Sequence, residues 1–282
     1  MIASALQYHT VSGFAGLGGK VEATSFSDLT IAQGSSFNLS FDNKKDVIIA
    51  DFRESQKILT ALGSDFCRFS NSAFQSIMPI SDEIVEKDKL AWSMVKLYYS
   101  AFYAGHSIIR ALGESCSFLD GTHVRRFNAL ATAMGTPPMF SIKAGLYQCS
   151  VDSSTTIVNY VKAGGAVGGT HEAFWAIFEK EIRKLSPKIL SSSMERTEAL
   201  QVVERLYEFE QLLKGINPVS HGALCLVRNE LQYKHGFGVW FPTRVRKDTR
   251  KRFGRLVTQW LRDPMDRAGP GNLHRSIGGF SA

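Results

Sequence analysis

Lys96-Leu97-Tyr98-Tyr99-Ser100-Ala101-Phe102-Tyr103-Ala104 is the stretch on which the fold turns. It lies inside a long helix-like segment that opens at Ser81-Asp82-Glu83-Ile84, with Ser81 placed to cap it. The segment runs through Trp92 and His106 to Leu112 and stops at Gly113. Length and dense aromatics mark it as a central core helix. Tyr98, Tyr99, Phe102 and Tyr103 are therefore assigned to core packing rather than to chemistry.

Helical periodicity continues on both sides of this segment. Residues 51–69 place Phe52, Ile58, Leu59, Leu62 and Phe66 at helical spacings. Thr122 to Met134 reads as a shorter helix carrying Arg125 and Arg126, and Thr136-Pro137-Pro138 breaks the chain after it. Residues 150–170, rich in Ser, Gly and Val, read as an excursion between helices. His171 to Leu185 is amphipathic through Phe174, Trp175 and Phe178. Met194 to Leu213 is expected to turn Leu200, Val203, Leu206, Tyr207 and Leu213 inward. Residues 1–50 differ: Gly, Ser and Thr separate short alternating pieces such as Lys20–Thr24 and Ser36–Phe41, which read as strands and turns. Asp46–Ala50 is one more strand or the start of the next helix. Gly13, Gly16, Gly18, Gly19 and Lys20 do not make a phosphate loop, because Phe14 and Val21 stand where a Gly and a Ser or Thr are required.

The segment Arg228-Asn229-Glu230-Leu231-Gln232-Tyr233-Lys234-His235 carries the chemistry. Asn217 can cap a helix there, Pro218 suits its first position, and Gly236 and Gly238 stop it. Leu224, Val227 and Leu231 supply the apolar positions. Seven residues are close to two turns, so Arg228 and His235 are expected on one face, with His235 in the last turn and His221 extending the stripe. A permanently charged guanidinium holds and neutralises a phosphate, and an imidazole moves a proton near neutral pH. That pair can cut a phosphodiester with no metal and no cofactor.

Composition narrows the alternatives. The length, 282 residues, suits one large domain or two modest ones, and an apolar fraction of 44% can fill a core. No run of eighteen apolar residues occurs, and the N-terminus lacks a basic region followed by an apolar stretch, so neither a membrane span nor a signal peptide is expected. Cys67, Cys116, Cys149 and Cys225 are scattered, which fits reduced core thiols in a cytoplasmic protein. The seven histidines show no HxxxH, HxH or HExxH spacing, and no GxSxG occurs, which argues against a metal hydrolase and a serine hydrolase. Charge is localised. Between Thr243 and Arg275, ten basic residues face Asp248, Asp263 and Asp266, an excess equal to the whole net charge of +7. A helix over 247–261, with Phe253, Leu256, Val257 and Trp260 on its buried side, leaves Arg244, Arg246, Lys247, Arg250, Lys251 and Arg255 as candidate nucleic-acid contacts.

The aromatic helix Lys96–Ala104, followed by Arg228-Asn229 and His235, resembles the HEPN superfamily. Its signature is an Arg, usually followed by a polar residue such as Asn, and a His after four to six intervening residues; here Asn229 through Lys234 intervene. The likeness covers residues 80–240, apart from an insertion over 114–195. It implies a mainly α protein with a HEPN-like helical bundle over 51–242; the small β-containing segment over 1–50 and the insertion between bundle helices depart from a minimal family member, and the basic helix and tail occupy 243–282. It implies a metal-independent endoribonuclease of a bacterial defence or toxin–antitoxin system. RNA would be cleaved by 2′-OH attack, with His235 as base or acid, Arg228 stabilising the phosphoryl oxygens, and Asn229 binding phosphate or orienting His235. It also implies a homodimer that brings two Arg/His pairs into one cleft, and an antitoxin or defence-system partner protein. A non-catalytic HEPN-like scaffold or RNA-binding protein is the alternative, and a regulator that binds nucleic acid through the basic segment alone is a second.

Overall fold

Alternation builds the first hairpin. Phe37–Asp42 (β1) buries Phe37 and Leu39 and exposes Asn38 and Ser40; Val47–Phe52 (β2) buries Ile48, Ala50 and Phe52. The two pair antiparallel, Phe37 opposite Phe52 and Asp42 opposite Val47. Lys44 N–H donates to Asp42 Oδ1 at 3.0 Å in the tight connection, and Asp46 takes the left-handed conformation that Asp tolerates better than most residues. Phe52, expected in a helix, is thus the last residue of a strand.

The computed structural model describes residues 6, 9–10, 24–32, 34–83, 89–152, 156–163, 169–214, 223–234, 238–240, 251 and 255, apart from the side chains of 81, 82 and 223. The protein is mostly helical, with one five-stranded antiparallel sheet. The chain divides into two compact units, one of residues 1–70 and 105–181, the other of 71–104 and 182–282. Among the described residues no helix is long and apolar enough to cross a membrane.

The first unit holds the sheet. Three further strands, Glu114–Leu119 (β3), Gly145–Val151 (β4) and Ile157–Lys162 (β5), join the hairpin in the order β1-β2-β5-β4-β3. The stretch read as an excursion therefore contains strand β5 and the end of β4. Strands β4 and β5 alternate in burial but border Ser- and Gly-rich segments that read as loop, whereas in β3 Ser115, Cys116 and Ser117 are consecutive and all buried, so β3 shows no alternation to read. One face of the sheet presents Phe37, Leu39, Ile48, Ala50, Val158, Tyr160, Tyr147 and Cys149 to a core completed by Phe26, Leu29, Ile58, Leu62, Phe127 and Ile142. Ile58 and Leu62 come from the helix Ser55–Ile77 (α1), the boundary between units falling after its Ser70. Phe127 comes from Gly121–Ala133 (α4), which Asp120 caps by accepting from the N–H groups of Thr122 and His123. His123 returns the bond, its Nδ1 3.2 Å from the Asp120 backbone N, while Nε2 lies 3.1 Å from the Ser27 carbonyl of a 3₁₀ turn over Ser27–Thr30. The outer edge of β1 is covered, since Leu39 N–H donates to Met134 Sδ at 3.4 Å.

The central helix is shorter than its sequence suggests. Ile80–Glu83 (α2) is one turn, with Ser81 inside it rather than capping it, and Leu90–Ala111 (α3) is the long helix. Residues 84–88, through which the expected helix ran, lie outside the described ones. Helix α3 ends as expected at Gly113, whose φ of 80° only glycine adopts freely and whose N–H reaches the Arg110 carbonyl at 3.0 Å.

The second unit is helical in its described residues. Gly169–Arg183 (α5) enters it at Ile182, and Leu185–Leu190 (α6), Arg196–Lys214 (α7) and Ala223–Gln232 (α8) follow. In α5 Phe174, Trp175 and Phe178 are buried, as expected. In α7 the inward stripe is Ala199, Val202, Leu206 and Leu213; Leu200 and Tyr207, expected inside, are exposed. The stripe sits one residue earlier at two of its positions, with Ala199 and Val202 buried in place of Leu200 and Val203. Ile77, Ile80 and Leu90 form a further cluster with Met94 and Leu97.

Candidate functional site

Arg228 lies on the inward stripe of α8, between Cys225 and Leu231, and only 9% of it is exposed. Two tyrosines hold its guanidinium. Its Cζ is 5.6 Å from the ring centroid of Tyr98, on α3, and 5.2 Å from that of Tyr233, one residue past the end of α8. Tyr98 also fastens α8 to α3 directly, its hydroxyl 3.5 Å from Cys225 Sγ. Behind it Tyr98, Tyr99, Phe102 and Tyr103 pack edge to face or stacked, with centroids 5.4 to 6.2 Å apart.

Arg228 has one donor without an acceptor among the described residues. Its Nε is buried with no hydrogen-bond partner among the described residues, and no carboxylate there pairs with it. The nearby acid, Glu230, is engaged by Lys234. Leaving a buried donor unpaired costs about 1 to 3 kcal/mol, more for a charged group. Ring contacts return about 0.5 to 2 kcal/mol each and satisfy no N–H. Gln232, one turn on, likewise has a buried Oε1 without a partner.

The end of α8 is built by a reversal of the chain. Tyr233 and Lys234 N–H both reach the Asn229 carbonyl, at 2.9 and 3.3 Å. A 3₁₀ turn, Gly238–Trp240, packs against the helix, and the Trp240 indole N–H donates to the Gln232 carbonyl at 3.1 Å. Gly238 is obligatory there: its φ is 77°, and a Cβ would stand 2.3 Å from the Leu231 carbonyl oxygen.

The expected site residues are placed unevenly. Arg228 and Asn229 are in α8, the second half-buried. His235 lies outside the described residues, and so do Asn217, Pro218, His221 and Gly236. Helix α8 ends at Gln232, with Tyr233 in a turn, so the two-turn argument that set His235 above Arg228 in one continuous helix does not hold. Gly238 lies against the Leu231 backbone. Of the candidate nucleic-acid contacts, Lys251 and Arg255 are helical and exposed; Arg244, Arg246, Lys247 and Arg250 lie outside the described residues, as do Phe253, Leu256, Val257, Trp260 and the segment 11–23. The sequence did not identify Tyr98 as a partner of Arg228, because the two are far apart in the chain; Tyr233 stood inside the quoted segment without a role.

The first unit has its own buried polar centre. Arg110 Nε donates to Asp65 Oδ2 at 3.1 Å, its Nη1 reaches His106 Nδ1 at 3.1 Å, and its Cζ sits 4.3 Å above the Phe69 ring. Asp65 also receives Arg68 and the Phe26 N–H. His106 is stacked between Phe69 and Phe174, at 4.8 and 3.9 Å. Burial, and then the Arg110 cation, push its pKa down to about 2. The ring is neutral at physiological pH, accepts at Nδ1 and serves as architecture. Burial also pushes the Cys149 thiol up to about 12 and raises that of Cys116, so neither is a nucleophile. No group of His, Cys, Asp and Glu among the described residues is arranged to hold a metal ion.

Comparison of the chain with protein-family models, with curated proteins and with solved structures finds no match.

Proposed function

We propose that this chain is a metal-independent endoribonuclease of HEPN type, belonging to a bacterial defence or toxin–antitoxin system, with the phosphate of RNA received by Arg228. The observation that carries the reading is the buried guanidinium of Arg228, clamped by Tyr98 and Tyr233 with Nε unpaired. A cation held in place without an anion is preorganised for one, and preorganised charge is what a phosphoryl transition state rewards. In this reading the 2′-oxygen attacks the adjacent phosphorus and the P–O5′ bond breaks, leaving a 2′,3′-cyclic phosphate and a 5′-hydroxyl. His235 takes the proton of the 2′-hydroxyl, and the His235 of a second copy protonates the departing 5′-oxygen. Asn229 beside Arg228 binds phosphate or orients His235. Exposed Leu226 on α8 gives two copies an apolar contact. The basic segment, including exposed Lys251 and Arg255, holds the RNA backbone without reading its sequence.

The test is cleavage of RNA in EDTA with analysis of the ends. Cyclic-phosphate termini are expected, with losses of about 10² to 10⁴-fold in Arg228→Ala and His235→Ala. Strict magnesium dependence, or wild-type rates in both variants, overturns the reading. One observation favours a second reading, that of an RNA-binding module without chemistry: α8 ends before His235. In that case Arg228→Ala weakens RNA binding, His235→Ala changes nothing, and no cleavage is seen.

A further inference from the structure

Two large aromatic rings stand in solvent at the C-terminal end of α8. Tyr233 is 57% exposed although Arg228 lies against its ring, and Trp240 is 55% exposed although its indole N–H is bound to Gln232. Both are tied to the same helical turn, Tyr233 by following Gln232 directly and Trp240 through that hydrogen bond. Folding has spent a left-handed glycine, Gly238, on bringing the Trp240 ring back to this place. Against the Tyr233 ring is a buried cation whose Nε has no partner among the described residues, and Lys251 and Arg255 are exposed in the same unit.

Exposed aromatic faces beside a site for a phosphate are what a single-stranded nucleic acid recognises: the backbone meets the charge and unpaired bases stack on the rings. A duplex hides its base faces, and an acidic protein offers carboxylates but no planar rings to stack. We infer that Tyr233 and Trp240 are base-stacking residues that make unpaired RNA the ligand of this site, placing the nucleotides on either side of a phosphate held by Arg228. The inference rests on the reading of this site as one for RNA phosphate, and it adds the strandedness of the ligand and the residues that select it. Tyr233 has a double part: it steadies Arg228 with its ring and offers that ring to a base.

The experiment uses the full-length protein and three probes of one mixed sequence, followed by fluorescence anisotropy: a single-stranded 2′-O-methyl oligonucleotide, which cannot be cleaved, the same strand with abasic positions, and the strand annealed to its complement. Wild type is expected to bind the single strand at least about tenfold more tightly than the other two. Tyr233→Leu and Trp240→Leu are each expected to lose about tenfold on the single strand and little on the abasic one, so that discrimination disappears. Tyr233→Phe and Trp240→Phe keep the rings and are expected to keep the discrimination, which separates stacking from any loosening of the fold. Leucine variants that discriminate like wild type overturn the inference. So does a wild type that binds all three probes alike, or none, as it would if an acidic protein were the occupant. Cleavage of ordinary RNA, measured in parallel, separates the two readings. Discrimination without cleavage removes the chemistry and leaves the stacking site; cleavage with undiminished discrimination in the leucine variants removes the stacking site alone.

Discussion

At the scale of single residues the protein contains two buried arginines with opposite fates. Arg110 is saturated by Asp65 and His106, whereas Arg228 has aromatic faces and an unused N–H. Composition does not distinguish them, since each sits in an apolar helical run beside aromatics. Burial of His106, and after it the charge of Arg110, has a consequence for pH. His106 has a folded pKa of about 2, below its ordinary 6.5, so between these values the unfolded chain binds a proton that the folded chain refuses. Its contribution to stability is complete above pH 6.5 and declines as the pH falls toward 2, by about 1.4 kcal/mol per pH unit. Urea unfolding at pH 7, 6 and 5 is expected to show a shallower acid loss in His106→Gln than in wild type, because the glutamine can accept from Arg110 and does not titrate. Parallel acid slopes in the two proteins would refute this account.

At the scale of elements, helices whose apolar residues recur at spacings of three and four were legible: α4 and α5 come within a few residues of where periodicity puts them, and the aromatic α3 ends at Gly113. The strands of residues 114–162 were not. In β3 there is no period-two alternation to read, since Ser115, Cys116 and Ser117 are all buried, while β4 and β5 alternate but border Ser- and Gly-rich segments that read as loop. Nor was the end of α8 legible, because it depends on contact between Gly238 and Leu231 across the turn. That contact can be tested. Gly238→Ala puts a Cβ into the Leu231 carbonyl and keeps an unfavourable positive φ, so the 3₁₀ turn must leave the helix. A loss of about 1 kcal/mol or more is expected in thermal or urea unfolding, together with a change in tryptophan emission as Trp240 parts from Gln232. A variant of unchanged stability and emission would show that the turn is not held by this contact.

At the scale of the whole molecule, residues 1–50 were expected as a β-containing segment beside a helical bundle. Their strands are two of the five in a sheet whose other three come from residues 114–162. Strand β2 is interior, paired with β1 on one side and with β5 on the other, and Phe26, Leu29, Phe37, Leu39, Ile48, Ala50 and Phe52 belong to the same core as Phe127 and Tyr160. Deleting residues 1–52 is therefore expected to unfold the first unit: β5 becomes a bare edge, and the core loses much of its apolar area. Hydrogen exchange on the truncated chain is the measurement. Amides of β4 and β5 should exchange orders of magnitude faster than in the intact protein; protection that survives the truncation would mean the hairpin is dispensable.

By itself the sequence determined the predominance of helix, the aromatic helix around Tyr98, the strand character of the hairpin near residue 40, and the single segment in which Arg228 stands. All of these are local: they follow from the spacing of apolar residues along one element and from glycines at its ends. Only the tertiary structure decided that two distant stretches share a sheet, that Arg110 is paired while Arg228 Nε has no partner among the described residues, and that Tyr98 meets Arg228 while Trp240 returns to Gln232 at the end of α8. Strand pairing, the satisfaction of a buried charge and the clamping of a cation between rings join residues far apart in the chain. No periodicity along one segment carries that information, because the partners meet only once the elements between them have packed.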